Sequence, residues 1–504
     1  MHRRSPDRPR LDAVLVGLVV VGAVLRLYGI GAQSLWYDEW LTSEAVDSGL
    51  GDLIRHVADR EGITPTYFIL TWGWVQVLGD GDVALRLLPA LAGIATVPVA
   101  YYTVLAFDLR RRVARVAAVL VAVNPLLVWY SQEARPYSLL ALAAGLSLLT
   151  FARARPPHAR RLVWWALAAA ATVALHYFGA FVVAAEAVLL LVAYRPRWQP
   201  VVLAAVPAGV VGLALVPFAV EQHSHAANRD WIAEFALSAR VQDAGRTALV
   251  GPSPPLRDLW IVPALAVAVA GVLLVARTAE RDRRVAAVAG VIAAAGVAVP
   301  LAVSLLGTDV FLGRYVIGAL VPLVVVVAVG LGASRPAAVG FTTAGVLAAV
   351  SVGAVVAVAR DPGLQRPDWR EVAAAVDDGG RDEPALVLVD VNGGQSGPLD
   401  RYVPGAQPLG PDDTIAVDQL DVLVGISSAE PCNMLVGRPC GMVFLGTHVS
   451  DTVRDAFTRT ERVELDQFAL DRYRADEPVT VRVADLVAPA AAPGAAVWVV
   501  GDSL

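Results

Sequence analysis

The sequence contains no lysine, and all 41 of its basic residues are arginine. Charge of any kind is scarce: 17% of residues are charged and 56% hydrophobic, with a mean hydropathy of +0.58. A soluble domain rarely carries so little charge, so the composition points to a membrane protein. The missing lysine reads as the mark of a high-GC genome rather than of chemistry. Cysteine is nearly absent as well. The two present, Cys432 and Cys440, can close a short disulfide loop if their compartment is oxidising, and are otherwise free thiols. No phosphate-cradling Walker loop, dinucleotide glycine fingerprint or zinc-protease motif occurs. ATP-driven transport and soluble nucleotide-sugar chemistry therefore lack support, and no nucleic-acid partner is expected. The first apolar run, 11–30, has no small-residue cleavage site after it and reads as an uncleaved first helix.

What the chain does have is apolar runs, at 11–30, 83–106, 113–130, 137–152, 162–178, 179–194, 200–219, 259–276, 285–306, 315–333 and 337–359. A span needs roughly 20 apolar residues. Counting eleven spans puts every arginine cluster on one side: Arg3 to Arg10, Arg110–Arg115, Arg153–Arg161, Arg195/Arg197, Arg277–Arg284 and Arg335. Positive clusters stay cytoplasmic, so the expected topology is a multi-pass plasma-membrane protein with a cytoplasmic N-terminus. Residues 64–79 (TPTYFILTWGWVQVLG) are apolar too, but a twelfth span would break that parity. They read as an interfacial or re-entrant helix at the outer surface.

The expected organisation is an all-α membrane domain over 1–360, whose first outer loop is 31–82, followed by a small extracytoplasmic α/β domain over 361–504. From Asp361 onward there are 24 Asp and Glu against 11 Arg, whereas the part before it is net basic. Val-rich runs at 385–390, 420–426, 441–446 and 479–486 read as strands, and 369–378 and 451–457 as helices.

The first outer loop opens SLWYDEWLTSEAV. Trp36, Tyr37 and Trp40 are interfacial anchor types, and they bracket Asp38 and Glu39 at the bilayer boundary. A carboxylate there can act as general base on an acceptor hydroxyl or amine, or bind a metal; the plainer alternative is a solvated loop acid. Arg86, Arg135 and Arg314 stand near the outer face. An arginine so placed is costly unless it snorkels, pairs with an acid such as Glu133 beside Arg135, or meets an anion. Guanidinium geometry suits a lipid phosphate or pyrophosphate. His176–Tyr177 lies at an outer turn. His223 and His225 form a His-x-His, which reads as a solvated loop rather than a metal site. Glu186, in mid-span, must face a partner or a cavity.

Taken together, W-Y-D-E, TPTYFILTWGWVQVLGDGDVALRLLPALAG, NPLLVWYSQEARPYSLLALAA, HYFGAF, GRYVIGALVPL and RPDWREVAAAV resemble the GT-C glycosyltransferases. The branch resembled is the bacterial one related to protein O-mannosyltransferases and lipid A aminoarabinose transferases (glycosyltransferase family 39-like). The resemblance covers roughly residues 10–375. It implies transfer of a mannose- or arabinose-like sugar from a polyprenyl-phosphate donor to an extracytoplasmic acceptor, whether protein, lipid or glycan. It implies Asp38 as catalytic carboxylate with Glu39 in support and matches Arg86 and Arg135 to family arginines; with Arg314, also near the outer face, these are expected on the donor phosphate. Tyr37, Pro65, Tyr130, Glu133, Tyr137, His176 and Tyr177 are then expected around the substrate. No soluble cofactor is implied, and a divalent metal is used by some members and not by others. One departure stands out: relatives usually carry a double proline, often preceded by His or Lys, where this chain has Ile63-Thr64-Pro65-Thr66 and keeps only Pro65. Two other classes remain, a flippase for lipid-linked glycans and a non-catalytic scaffold of envelope assembly. Against the first, paired broken helices and inverted repeats are not visible. Against the second, Asp38, Arg86 and Arg135 are present together.

Overall fold

A computed structural model of the chain describes residues 12–156, 158–224, 232–233, 235–256, 258–377, 385–389, 397–403, 405–425, 455–486 and 496–500. It divides into two compact units: Met1–Ile30 with Thr42–Val356, and Gly31–Leu41 with Ala357–Leu504. His225, Cys432 and Cys440, the strand expected at 441–446 and most of the helix expected at 451–457 lie outside the described residues.

The first unit is helical. In chain order its helices are α1 (Ala13–Leu27), α2 (Tyr37–Asp47, whose first residues belong to the other unit), α3 (Leu50–Arg60), α4 (Thr66–Leu78), α5 (Asp82–Ala106), α6 (Arg111–Val123), α7 (Pro125–Ser131), α8 (Tyr137–Ala154), α9 (Leu162–Leu175), α10 (Gly179–Ala193), α11 (Gln199–Ala214), α12 (Val216–Ser224), α13 (Leu237–Val250), α14 (Ile261–Arg277), α15 (Glu280–Leu305), α16 (Leu320–Ala333) and α17 (Ala337–Arg360). Each apolar run named above is largely helical here. By length and composition, six of the described helices can cross a membrane, or seven if the bent pair α6–α7 is one span. At about 1.5 Å per residue, the 13 residues of α4 reach only ~20 Å, short of a hydrocarbon core of about 30 Å.

The run 113–130 is broken where the sequence suggests one piece. Pro125 has no N–H to donate back into α6, and Asn124 Oδ1 accepts from Leu127 N at 3.0 Å to start α7 afresh. The two helices meet at 53°. The carbonyls of Val121 and Ala122 at the break take their hydrogen bonds from Arg26, at 3.0 and 2.8 Å. That guanidinium is fully buried on α1 and also donates to Gly22 O at 3.1 Å and Ser131 Oγ at 3.2 Å. It thereby satisfies backbone groups that lipid cannot. Gly93 on α5 lets this happen, since a Cβ there would strike Ser131 and lie 2.9 Å from Arg26 Nε.

Glu186 on α10 finds its partners on two neighbouring helices. It accepts from Trp165 Nε1 of α9 at 2.8 Å and from Ser147 Oγ of α8. The expectation that this mid-span acid faces a partner is met by a three-helix hydrogen-bond node.

The second unit carries a six-stranded sheet of β1 (Ala385–Val389), β2 (Gln407–Leu409), β3 (Thr414–Gly425), β4 (Thr458–Glu464), β5 (Phe468–Arg482) and β6 (Ala496–Val500), in the order β2-β6-β1-β3-β5-β4. The β1–β3 pair is parallel and every other pair antiparallel. Helix α18 (Trp369–Asp377) packs Trp369, Val372 and Val376 on one face of the sheet against Val387, Leu423 and Phe468. Arg472 on β5 is buried and held by Asp421 at 3.1 Å, Glu461 at 2.7 Å and the Ala375 carbonyl at 2.8 Å. The run 479–486, expected as one strand, is the end of β5 followed by a single helical turn, Val483–Leu486.

Candidate active site

The acidic pair opens a helix. Asp38 and Glu39 occupy the first turn of α2, where the helix dipole favours negative charge. The buried Glu39 carboxylate turns back to accept from the Trp36 backbone N–H at 3.4 Å. This is the side-chain half of a capping box. Asp38 is half-buried, so the two neighbours differ: Glu39 is tied to the start of its own helix.

The segment just before the pair is strapped down within the same unit. Ser34 Oγ accepts from Trp369 N at 2.7 Å and donates to Pro367 O at 3.2 Å. Leu35 N donates to Tyr402 Oη at 2.7 Å, and Arg370 Nη1 to Gly31 O at 3.1 Å. Trp40 Nε1 donates to Asp400 at 2.9 Å, and the Tyr37 and Trp40 rings stack at 5.8 Å. The RPDWRE motif thus holds the backbone that carries the acids. Nothing local in 31–41 announces this.

In the helical unit, the turn after α7 brings Arg135 to Glu61 at the end of α3. The two form a fork of 2.7 and 2.8 Å, both side chains buried. Thr42 Oγ1 donates to the Ala134 carbonyl at 3.0 Å and sits 3.5 Å from Arg135 Nη1. The Arg135 guanidinium also lies 5.8 Å from the Phe68 ring centre. Arg86 on α5 is buried and donates to Ile30 O at 3.0 Å.

A cluster of rings closes behind this turn. Tyr130 and Tyr137 lie 4.7 Å apart, Tyr137 and His176 6.2 Å, and His176 and Tyr315 5.4 Å. Phe178 stacks on Tyr315 at 5.2 Å. The Phe178 backbone N–H donates to His176 Nδ1 at 3.2 Å, so that nitrogen carries no proton and the donor is Nε2, which is buried without a partner among the described residues. Arg314 lies over the Tyr315 ring at 5.5 Å, and both it and Arg135 are within electrostatic reach of His176. Tyr177 donates to Gln222 Oε1 at 3.1 Å, and Gln222 Nε2 bonds Val57 O and Ile63 O at 3.0 and 2.9 Å. That ties the stretch before Pro65 to α12. Pro65 caps the start of α4, and Thr64 before it is buried.

Helix α13 backs the turn bearing Arg314. A Cβ on Gly313 would lie 3.0 Å from Thr247 Oγ1 and 3.1 Å from Ala244 Cα. Burial pushes Asp243 of α13 up to about 8, against the opposing pull of Arg246, 3.8 Å away.

Of the expected residues, Arg135, Tyr130, Tyr137, His176 and Arg314 come together around this ring cluster, and Asp38 and Glu39 share one helix turn with Tyr37. Glu133, in the same YSQEARPY segment as Arg135, is buried. The acid that forks with Arg135 is Glu61, 74 residues away in sequence. The sequence reading missed Glu61, Thr42, Phe178, Tyr315 and Gln222. Tyr315 follows Arg314 in the GRY motif and Phe178 follows His176–Tyr177. Those two carried a signal, whereas Glu61 is one acid among several in its loop.

Residues 61–231 match the family model for dolichyl-phosphate-mannose-protein mannosyltransferase. The fold is similar to that of ArnT from Cupriavidus metallidurans bound to undecaprenyl phosphate, at 12% identity and a TM-score of 0.55, covering 95% of this chain and all (100%) of that one. The yeast (S. cerevisiae) Pmt1–Pmt2 protein O-mannosyltransferase complex matches at 20% identity and a TM-score of 0.33, over 45% of this chain and 36% of that chain. The mycobacterial arabinofuranosyltransferase AftD matches at 17% identity and 0.45, over 92% and 40%. Against ArnT in its apo state the chain spans 61% of the length. Among curated proteins no sequence matches. With six described helices long and apolar enough to cross a membrane, the chain is a multi-pass membrane protein, and its fold is similar to that of ArnT.

Proposed function

We propose that the protein transfers a mannose- or arabinose-like sugar from a polyprenyl-phosphate donor to an acceptor on the outer side of the membrane. The observation that carries this reading is the likeness of fold to ArnT bound to undecaprenyl phosphate, over nearly the whole chain. The acid pair fixed at the start of α2 supports it. Arg86 and Arg314 take the donor phosphate, to which guanidinium geometry is suited. Arg135 adds positive charge while its two terminal nitrogens hold Glu61.

In the transfer, the acceptor oxygen or nitrogen attacks the anomeric carbon and the bond from that carbon to the phosphate oxygen breaks. Asp38 takes the acceptor proton, and polyprenyl phosphate leaves with the electron pair. A single displacement inverts the anomeric centre. Charge builds on the leaving phosphate, so arginine stabilisation there is the main electrostatic contribution. The N-terminus is cytoplasmic and the sheet-bearing unit extracytoplasmic in this reading, following the arginine clusters.

The test is transfer of radiolabelled sugar in membranes, using a panel of polyprenyl-phosphate sugars, with wild type and Asp38→Asn compared. Transfer by wild type and a loss of about a hundredfold or more in the variant is expected. Equal transfer by both removes Asp38 from the chemistry. No transfer from any donor by well-folded wild type turns the reading to a flippase or a scaffold.

A further inference from the structure

Helices α5 and α8 begin with Arg86 and Tyr137 near their first turns, and at their far ends they frame a cavity of about 580 Å³. The size is within the usual range of ligand pockets, roughly 300–1,000 Å³. At about 1.5 Å per residue, 25 residues of α5 and 18 of α8 separate the two ends by roughly 27–37 Å. The cavity therefore belongs to a different region from the ring cluster.

Its lining includes Arg153, Arg155, Arg161 and His158, with Asp108 the one carboxylate among the lining residues. Asp108 lies 4.0 Å from Arg281, itself exposed. Arg155 Nε bonds Ala152 O at 3.1 Å and its Nη2 bonds Ala106 O at 3.4 Å, so it caps the C-terminal ends of both helices. Each helix end contributes about half a negative charge. Three guanidiniums against one carboxylate and two such ends leave the cavity about one positive charge in excess, before Arg281 is counted. Burial works against the Arg155 charge, with Asp108 opposing.

Arginines at helix ends are topological signals, which explains their presence but not their convergence on a cavity. Immediately beyond Arg161 the first turns of α9 expose Val163, Trp164 and Leu167, an apolar face headed by an interface-type tryptophan. We propose that this cavity binds the phosphate headgroup of an anionic membrane lipid whose acyl chains lie along that face. A basic pocket between span ends fits such a headgroup, and the adjoining apolar face favours a lipid over a free phosphate anion.

Native mass spectrometry of the full-length protein, titrated with cardiolipin, phosphatidylcholine or inorganic phosphate, tests this. Cardiolipin is expected to be retained at one high-affinity position, with Kd raised at least about tenfold by Arg153→Gln/Arg161→Gln. Arg153→Lys/Arg161→Lys should recover most of that affinity. The control Arg111→Gln/Arg160→Gln removes as many charges outside the cavity lining and should leave cardiolipin retention unchanged. Equal weakening by the control, equal retention of phosphatidylcholine, or full displacement of cardiolipin by inorganic phosphate would each overturn the proposal.

Discussion

Arg135 and Glu61 face one another as a two-pronged ion pair at 2.7 and 2.8 Å, both buried, across 74 residues of sequence. The pair joins the turn between α7 and α8 to the end of α3. Removing one partner of a buried pair strands the other charge, at a cost of about 3–5 kcal/mol. Glu61→Gln is therefore expected to lower the thermal midpoint of the detergent-solubilised protein strongly. Glu61→Gln/Arg135→Gln should lose less than the two single changes summed. An unchanged midpoint in Glu61→Gln would mean that the pair does not hold this turn.

Arg26 makes a second buried commitment. Replacing it by Leu leaves the Val121 and Ala122 carbonyls without donors, at about 1–3 kcal/mol per buried group. Arg26→Lys recovers only part, because an ammonium cannot spread over two carbonyls and Ser131 as the planar fork does. Gly93→Ala should destabilise by about 1–3 kcal/mol through overpacking against Ser131. Thermal unfolding of the three variants orders them, and a fully stable Arg26→Leu would refute the account of the α6–α7 break.

Ser34 connects the acid-bearing segment to the 367–370 motif through two hydrogen bonds. Ser34→Ala removes both while leaving the acids in the sequence. Small misplacements of a catalytic group cost about ten- to a hundredfold in rate, so kcat for sugar transfer should fall by about tenfold, with the thermal midpoint lowered as well by the buried Trp369 N–H left without its acceptor, at about 1–3 kcal/mol. An unaltered rate would separate the motif from the placement of Asp38.

Asp243 gives the protein a pH dependence of defined sign. Its value is about 8 in the folded chain against 3.8 for the free side chain. As pH rises the unfolded chain gives up this proton first. The unfolded state then binds fewer protons than the folded one between about pH 4 and 8, and stability falls across that window. Wild type is expected to melt at a lower temperature at pH 8 than at pH 5. Asp243→Asn should flatten that slope and melt above wild type at pH 8; a slope that survives the substitution would point to another group.

The membrane class, the helical runs and the sheet-bearing C-terminal region were legible because they depend on local composition and period. Hydrophobic runs of span length and Val-rich alternation carry their own signal. The motifs around Asp38, Arg135, His176 and Arg314 were legible as a family resemblance. Pro125 stood in plain view within the run 113–130, and its consequence, a 53° break, follows from a missing N–H.

What the sequence determined by itself, then, is which segments are apolar and which residue types are gathered in motifs. The tertiary structure alone decided the partners: Arg135 with Glu61, Arg26 with the carbonyls of the α6–α7 break, Glu186 with Trp165 and Ser147, and Ser34 with Trp369. The physical reason is that burial of a polar group demands a partner but does not say where along the chain it comes from. Any of several acids satisfies an arginine on paper. The packing of distant helices brings Glu61 to Arg135.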